Sequence, residues 1–111
     1  MPIFITQGRY SQQGLKGLVA KPEDRQEPVK QLFESAGGRL IDYYMTFGDY
    51  DFLIISEAPD ERAMLSVLAV AGAGGGVTDL KTTLAVTTAG AKEAFASASR
   101  TASQFRSAGQ S

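Results

Sequence analysis

Apolar positions along this chain change their period several times, and each change marks an element. Ile3-Phe4-Ile5-Thr6-Gln7 is β-branched and aromatic, is bounded by Pro2 and Gly8, and predicts a first strand. Pro2 at its start removes no ladder hydrogen bond. Beyond Ser11 the spacing becomes helical: Leu15, Leu18 and Val19 share a face, with Ser11 as the cap and Lys21-Pro22 as the interruption. Val29, Leu32, Phe33 and Ala36 fall at i, i+3, i+4 and i+7, which predicts a helical face closed by Gly37-Gly38. Inside a continuous helix the ring of Pro28 would meet the carbonyl of Asp24 at a cost of roughly 3 kcal/mol, so the helix is expected to restart or kink there.

Strand-like runs return from Leu40 to Phe47 and from Tyr50 to Ser56, predicting an antiparallel hairpin across Gly48-Asp49. In the second run Phe52 and Ile54 point one way and Leu53 and Ile55 the other, so both faces are apolar. Helices on one side of such a sheet would leave the other side uncovered. Pro59-Asp60 supplies a stop and an N-cap for a helix from about Glu61 to Ala71. Met64, Val67, Leu68 and Ala71 form one face, and Leu65, Ala69 and Val70 leave little polar surface elsewhere, so burial on more than one side is expected. Gly72 to Gly76 breaks the helix, and Val77 to Thr87 predicts a last strand with Leu80, Thr82, Leu84 and Val86 on one side.

The resulting order, βαββαβ, is an α+β arrangement of the ferredoxin-like kind: a four-stranded antiparallel sheet with helices on one face. Residues 1–88 are expected to form that domain. In 89–111 the Ala-Lys-Glu-Ala-Phe stretch predicts a short helix with Phe95 as its one large anchor. From Ser97 to Ser111 the Ser- and Ala-rich sequence buries too little to offset its ordering entropy, which predicts a mobile tail.

Composition narrows the chemistry. At 111 residues the chain suits one domain able to bury a core without staples. Eleven Lys and Arg against 12 Asp and Glu give no basic excess for a phosphate backbone, so nucleic acid is not an expected partner. Cysteine and histidine are both absent, which excludes disulfides, thiolate nucleophiles, Cys- or His-based metal sites and Ser-His-Asp catalysis. No apolar run reaches the ~18 residues of a membrane helix and no secretory leader pattern stands at Met1, so a soluble cytoplasmic protein is expected.

Few residues invite chemistry. Asp49, Asp51, Glu57 and Asp60 lie close in sequence, yet no Asp-x-Asp-x-Asp-Gly run supports a cation loop, and turn and cap roles account for Asp49 and Asp60; no metal is expected. Asp51 enters a strand that is apolar on both faces, so its carboxylate must find backbone N–H groups or an arginine such as Arg9, Arg25 or Arg39; the functional alternative is a general base in a cleft. Tyr10, Tyr43, Tyr44 and Tyr50 stand on or beside strands with Phe4, Phe47 and Phe52, as core aromatics or as the lining of a site for a small planar ligand. The glycines from 72 to 76 close a helix and precede a strand, the reverse of a dinucleotide-binding loop, and no cofactor is expected.

Gly48, Tyr50 and Asp51, with their apolar flanks, form a Gly-x-Tyr-Asp signature, and over roughly Pro2 to Val86 the chain resembles the GYD domain family. The resemblance implies the ferredoxin-like fold and a dimeric α/β barrel in which a second copy covers the helix-free sheet face. The expected function is an oligomeric module that binds a small molecule or simply assembles, with Tyr10, Tyr43, Tyr44, Tyr50 and Asp51 as ligand contacts. One alternative is a cofactor-independent monooxygenase or isomerase on a small aromatic substrate, with Asp51 as base and Tyr50 beside it; relatives of that type use histidine or an Asn–Trp pair, which this chain lacks. Another is an effector-sensing domain working with a partner protein. A cavity of several hundred Å³ with polar groups at one end would favour a ligand over pure assembly.

Overall fold

A computed structural model describes residues 1–110. Eight elements follow in order: β1 (Ile3–Tyr10), α1 (Gln12–Ala20), α2 (Gln26–Ser35), β2 (Arg39–Met45), β3 (Phe52–Glu57), α3 (Glu61–Ala73), β4 (Val77–Ala85) and α4 (Thr88–Ala102). The strands form one antiparallel sheet in the order β2-β3-β1-β4, the ferredoxin-like order. Phe4, Thr6, Phe52, Ile54 and Ser56 are buried beneath the helices, together with Phe33 of α2 and Met64 and Val67 of α3. Ile3, Ile5, Leu53 and Ile55, on the opposite face, are only half-buried.

Local chemistry explains the helix limits. The Ser11 hydroxyl accepts the Gly14 N–H, and the Asp60 carboxylate accepts the Ala63 N–H, as N-caps do. The helical stretch before β2 is two helices, because the chain leaves α1 after Ala20 and re-enters helix at Gln26. Pro28 then falls in the first turn of α2, where its missing N–H has no helical partner to lose. Gly37, at φ +80, ends α2 in a conformation that a Cβ would strain.

The β2–β3 connection is longer than a two-residue turn. β2 ends at Met45 and β3 begins at Phe52. The Thr46 hydroxyl donates to the Tyr50 carbonyl and the Thr46 N–H to the Asp51 carbonyl, closing the loop, while the Asp51 N–H turns to the Gly8 carbonyl of β1. Phe47, at the tip, is fully exposed.

Three other expectations are corrected. α3 is buried on one side only, with Leu65 and Val70 exposed, because the single chain places no layer beyond it. β4 stops at Ala85, since Thr87 is the N-cap of α4; Leu80 packs on the core, but Leu84 and Val86 are exposed. The helix around Phe95 runs the full length from Thr88 to Ala102 and takes in Ser97 to Ala102, which composition alone assigns to a tail. Low side-chain entropy and high propensity of its alanines favour that extension. From Lys92 onward α4 is exposed throughout and projects, giving a radius of gyration of 18.5 Å against about 13 Å for a compact chain of this length.

Candidate functional site

Between the helices and the inner sheet face lies a cavity of about 840 Å³, open on one side. Its floor is Phe52 and Ile54 of β3; Val29, Leu32 and Phe33 of α2 and Met64, Val67 and Leu68 of α3 supply apolar walls. Gly14 and Leu18 of α1 close a further side. The α1 wall is fixed to the loop before β4 by one residue: Ser11 donates its backbone N–H to the Gly76 carbonyl at 3.0 Å and its hydroxyl to the Gly75 carbonyl at 2.6 Å. The glycine run from 72 to 76 thus serves helix docking.

Polar side chains line it too, Thr6, Gln13, Gln31 and Ser35 among them, and two tyrosines meet there. The Tyr10 and Tyr43 hydroxyls are 2.8 Å apart, and Tyr10 also points its O–H toward Met45 Sδ at 3.6 Å. Both rings lean on Phe52, with centroids at 5.3 and 6.2 Å. Burial, with the Tyr10 hydrogen bond second, pushes the Tyr43 phenol well above the ordinary tyrosine value, so it is a neutral hydroxyl at any physiological pH. The charges of Arg25, which lowers its pKa, and Asp24, which raises it, also act on that phenol. Lys21, Glu23 and Arg25 of the linker line the cavity as well, with Arg25 bridged to Glu23 at 2.9 Å.

The expected site residues divide three ways. Tyr10 and Tyr43 meet in the cavity. Tyr44 is on the other sheet face, half exposed, opposite Leu53, its hydroxyl 3.4 Å from Asp42 Oδ1. Tyr50 sits in the β2–β3 loop beneath the Arg9 guanidinium, 5.9 Å from its ring centroid, while Arg9 Nε donates to the Asp49 carbonyl. Asp51 does not line the cavity; its Oδ2 accepts the Tyr10 N–H at 2.9 Å, and none of the three arginines pairs with it. Arg39 instead pairs with Glu57. Sequence reasoning missed Lys21, Glu23 and Arg25; the available signal was a charged linker between two helices whose apolar faces point the same way. Among the described residues no three carboxylates converge as a cation site requires, and no helix is long and apolar enough to cross a membrane.

Comparison with known proteins follows the same outline. A family model described as the GYD domain matches residues 4–95, reaching into α4. A Thermus thermophilus protein named glutamine synthetase and cystathionine beta-lyase binding protein is 36% identical over 69 residues, covering 59% of this chain and 73% of that protein. Among solved structures, MtbAldR superposes with a TM-score of 0.53 at 11% identity, over 78% of this chain and 52% of that one. TTHA0845, also from Thermus thermophilus, does so at 0.50 and 16% identity, over 78% and 95%. At those identities the two structures speak for the fold alone.

Proposed function

The chain belongs to the GYD domain family, and from that premise we propose that it is a non-catalytic binding module, a small oligomeric domain that holds an organic molecule between its helices and its sheet. The observation that carries this is the cavity of about 840 Å³, mainly apolar in its walls and holding the Tyr10–Tyr43 hydroxyl pair, within the range of small-molecule sites. A base role for Asp51 gains no support, because its carboxylate is engaged by backbone outside the cavity.

The helix-free sheet face supports pairing with a second copy. Its centre, from Ile3, Ile5, Leu53 and Ile55, is apolar, while Asp42 lies on the β2 edge and Lys81 on the β4 edge. A two-fold axis parallel to the strands lays each β2 edge over the partner's β4 edge, so the opposite charges meet twice while the apolar centres stack. Native mass spectrometry of gently purified protein tests both parts. A dimer carrying a reproducible extra mass is expected, and Ile55→Asp should convert it to monomer. A bare monomer overturns the pairing and removes the support for a retained ligand.

A second reading has its own support. The Thermus thermophilus relative is named for binding two enzymes, and a partner-binding role carries over to this chain as a proposal. Co-purification of defined enzymes with the tagged chain, lost on mutation of an exposed surface but not of the cavity, would separate this role from ligand binding.

A further inference from the structure

We propose that Lys81 and the Asp42–Tyr44 pair decide which surface the helix-free sheet face accepts: in the dimer the Lys81 ammonium of each copy sits against the Asp42 carboxylate and Tyr44 ring of the other. This rests on the reading of that face as a pairing surface, and the strand register places its charges. Arg39 opposes Glu57 and is already paired with it in the same chain. Arg9 stands over the Tyr50 ring with its Nε on the Asp49 carbonyl, and Asp51 is turned to the Tyr10 N–H. Asp42 and Lys81 remain: among the described residues neither has an ion-pair partner, and Asp79, at the irregular stretch of β4 before Lys81, makes no ion pair with it. Asp42 does have company on β2, since the Tyr44 hydroxyl lies 3.4 Å from its Oδ1.

Symmetry then decides what these groups meet. Tyr44, Leu53, Gln7 and Lys81 form one continuous row across the sheet, from the β2 edge to the β4 edge. A two-fold axis parallel to the strands lays that row over its own reverse, so Tyr44 faces the partner's Lys81. Asp42, opposite Ile55 in the next row of the same face, is within the sweep of a lysine stem between sheets about 10 Å apart. The ammonium thus gains a carboxylate and an aromatic face together. An axis across the strands would instead stack each edge strand on its own copy, carboxylate on carboxylate and ammonium on ammonium, which like-charge repulsion disfavours. An unrelated apolar sheet without a carboxylate opposite Lys81 would desolvate that charge unpaired. A second copy supplies both halves of the contact.

The test is sedimentation equilibrium and native mass spectrometry of the full chain carrying Asp42→Lys or Lys81→Glu. Each variant alone opposes like charges twice in its own dimer and should weaken self-association at least about tenfold. Mixed, with one of them isotope-labelled so that the masses separate, the two should form a heterodimer within several-fold of the wild-type affinity, because every contact again joins opposite charges. The double variant Asp42→Lys/Lys81→Glu should recover the homodimer by the same logic. Tyr44→Leu, which keeps an apolar side chain but no ring, should weaken pairing several-fold. Single variants that dimerise as tightly as wild type, or that stay monomeric when mixed, would overturn these contacts while leaving pairing through the apolar centre to the Ile55→Asp result. A wild-type chain that is monomeric throughout would remove the pairing and these contacts with it.

Discussion

Asp51 is the residue where sequence logic and structure most nearly agree on the problem and differ on the answer. A carboxylate entering a strand that is apolar on both faces needs a partner, and it finds the Tyr10 N–H beyond the last β1–β3 pair, Gly8 with Phe52, where Tyr10 still pairs with Val77 of β4. It thereby ties β3 to β1, just where Tyr10 turns into the cavity. Asp51→Ala is expected to cost about 1–3 kcal/mol of unfolding free energy by leaving that N–H unpaired, with cavity binding retained; urea titration beside ligand titration measures both. Asp51→Asn keeps an acceptor and should cost less. Tyr43 offers a spectroscopic counterpart. Because burial raises its folded-state pKa above the unfolded value near 10, folding favours the neutral phenol. The stability this contributes is fully present below about pH 10 and is lost as pH rises through the higher folded-state value. Absorbance titration at alkaline pH should show one of the four tyrosines lagging the others, and Tyr43→Phe should abolish the lag.

At the scale of elements, the chain is held by short stitches whose failure moves a whole wall. α1 is docked through Ser11 and the close approach of Gly14 to the loop before β4. A Cβ at Gly14 would collide with the Gly76 carbonyl oxygen, a backbone atom that cannot swing aside. Alanine in a helix normally gains about 1 kcal/mol over glycine, but here α1 or the loop must shift, and overpacking of this kind costs about 1–3 kcal/mol. Gly14→Ala is therefore expected to lower the melting temperature and also weaken ligand binding, since α1 is a cavity wall; an unchanged melting temperature would sink the docking argument. Gly17, three residues on, has open space at its Cβ position, so Gly17→Ala is the matching control and should be neutral or stabilising.

For the whole molecule, the question is where the folding unit ends. The sequence pattern places the unit in residues 1–88, the family model runs to residue 95, and α4 continues to Ala102 while remaining exposed from Lys92 onward. A chain ending at Thr87 should lose no more than about 1 kcal/mol, a shift of a few degrees in melting temperature. A much larger loss would mean that α4, with Phe95 facing water in the single chain, packs against another copy in solution. The same whole-molecule view accounts for Leu53, Ile55 and Tyr44: one subunit leaves them partly or largely exposed, and the proposed dimer covers them.

By itself the sequence determined the order of elements, the capping at Ser11 and Asp60, the break before Pro28, the two-sided third strand and the family signature at Gly48, Tyr50 and Asp51. These are local: period, cap chemistry and proline sterics act within a few residues and need no partner far along the chain. The site was only half legible. In the sequence Tyr43 and Tyr44 are equivalent neighbours, and a regular strand running on from inward-facing Leu40 would send Tyr44 inside. A register slip between Leu40 and Asp42 reverses the later residues, so that Tyr43 opposes Ile54 over the core and Tyr44 opposes Leu53 outside. The Tyr10–Tyr43 pair, 33 residues apart, and the charged linker that lines the same cavity come together only once β1, β2 and the helices meet, because a one-residue shift in strand pairing has almost no local signature and reverses everything beyond it.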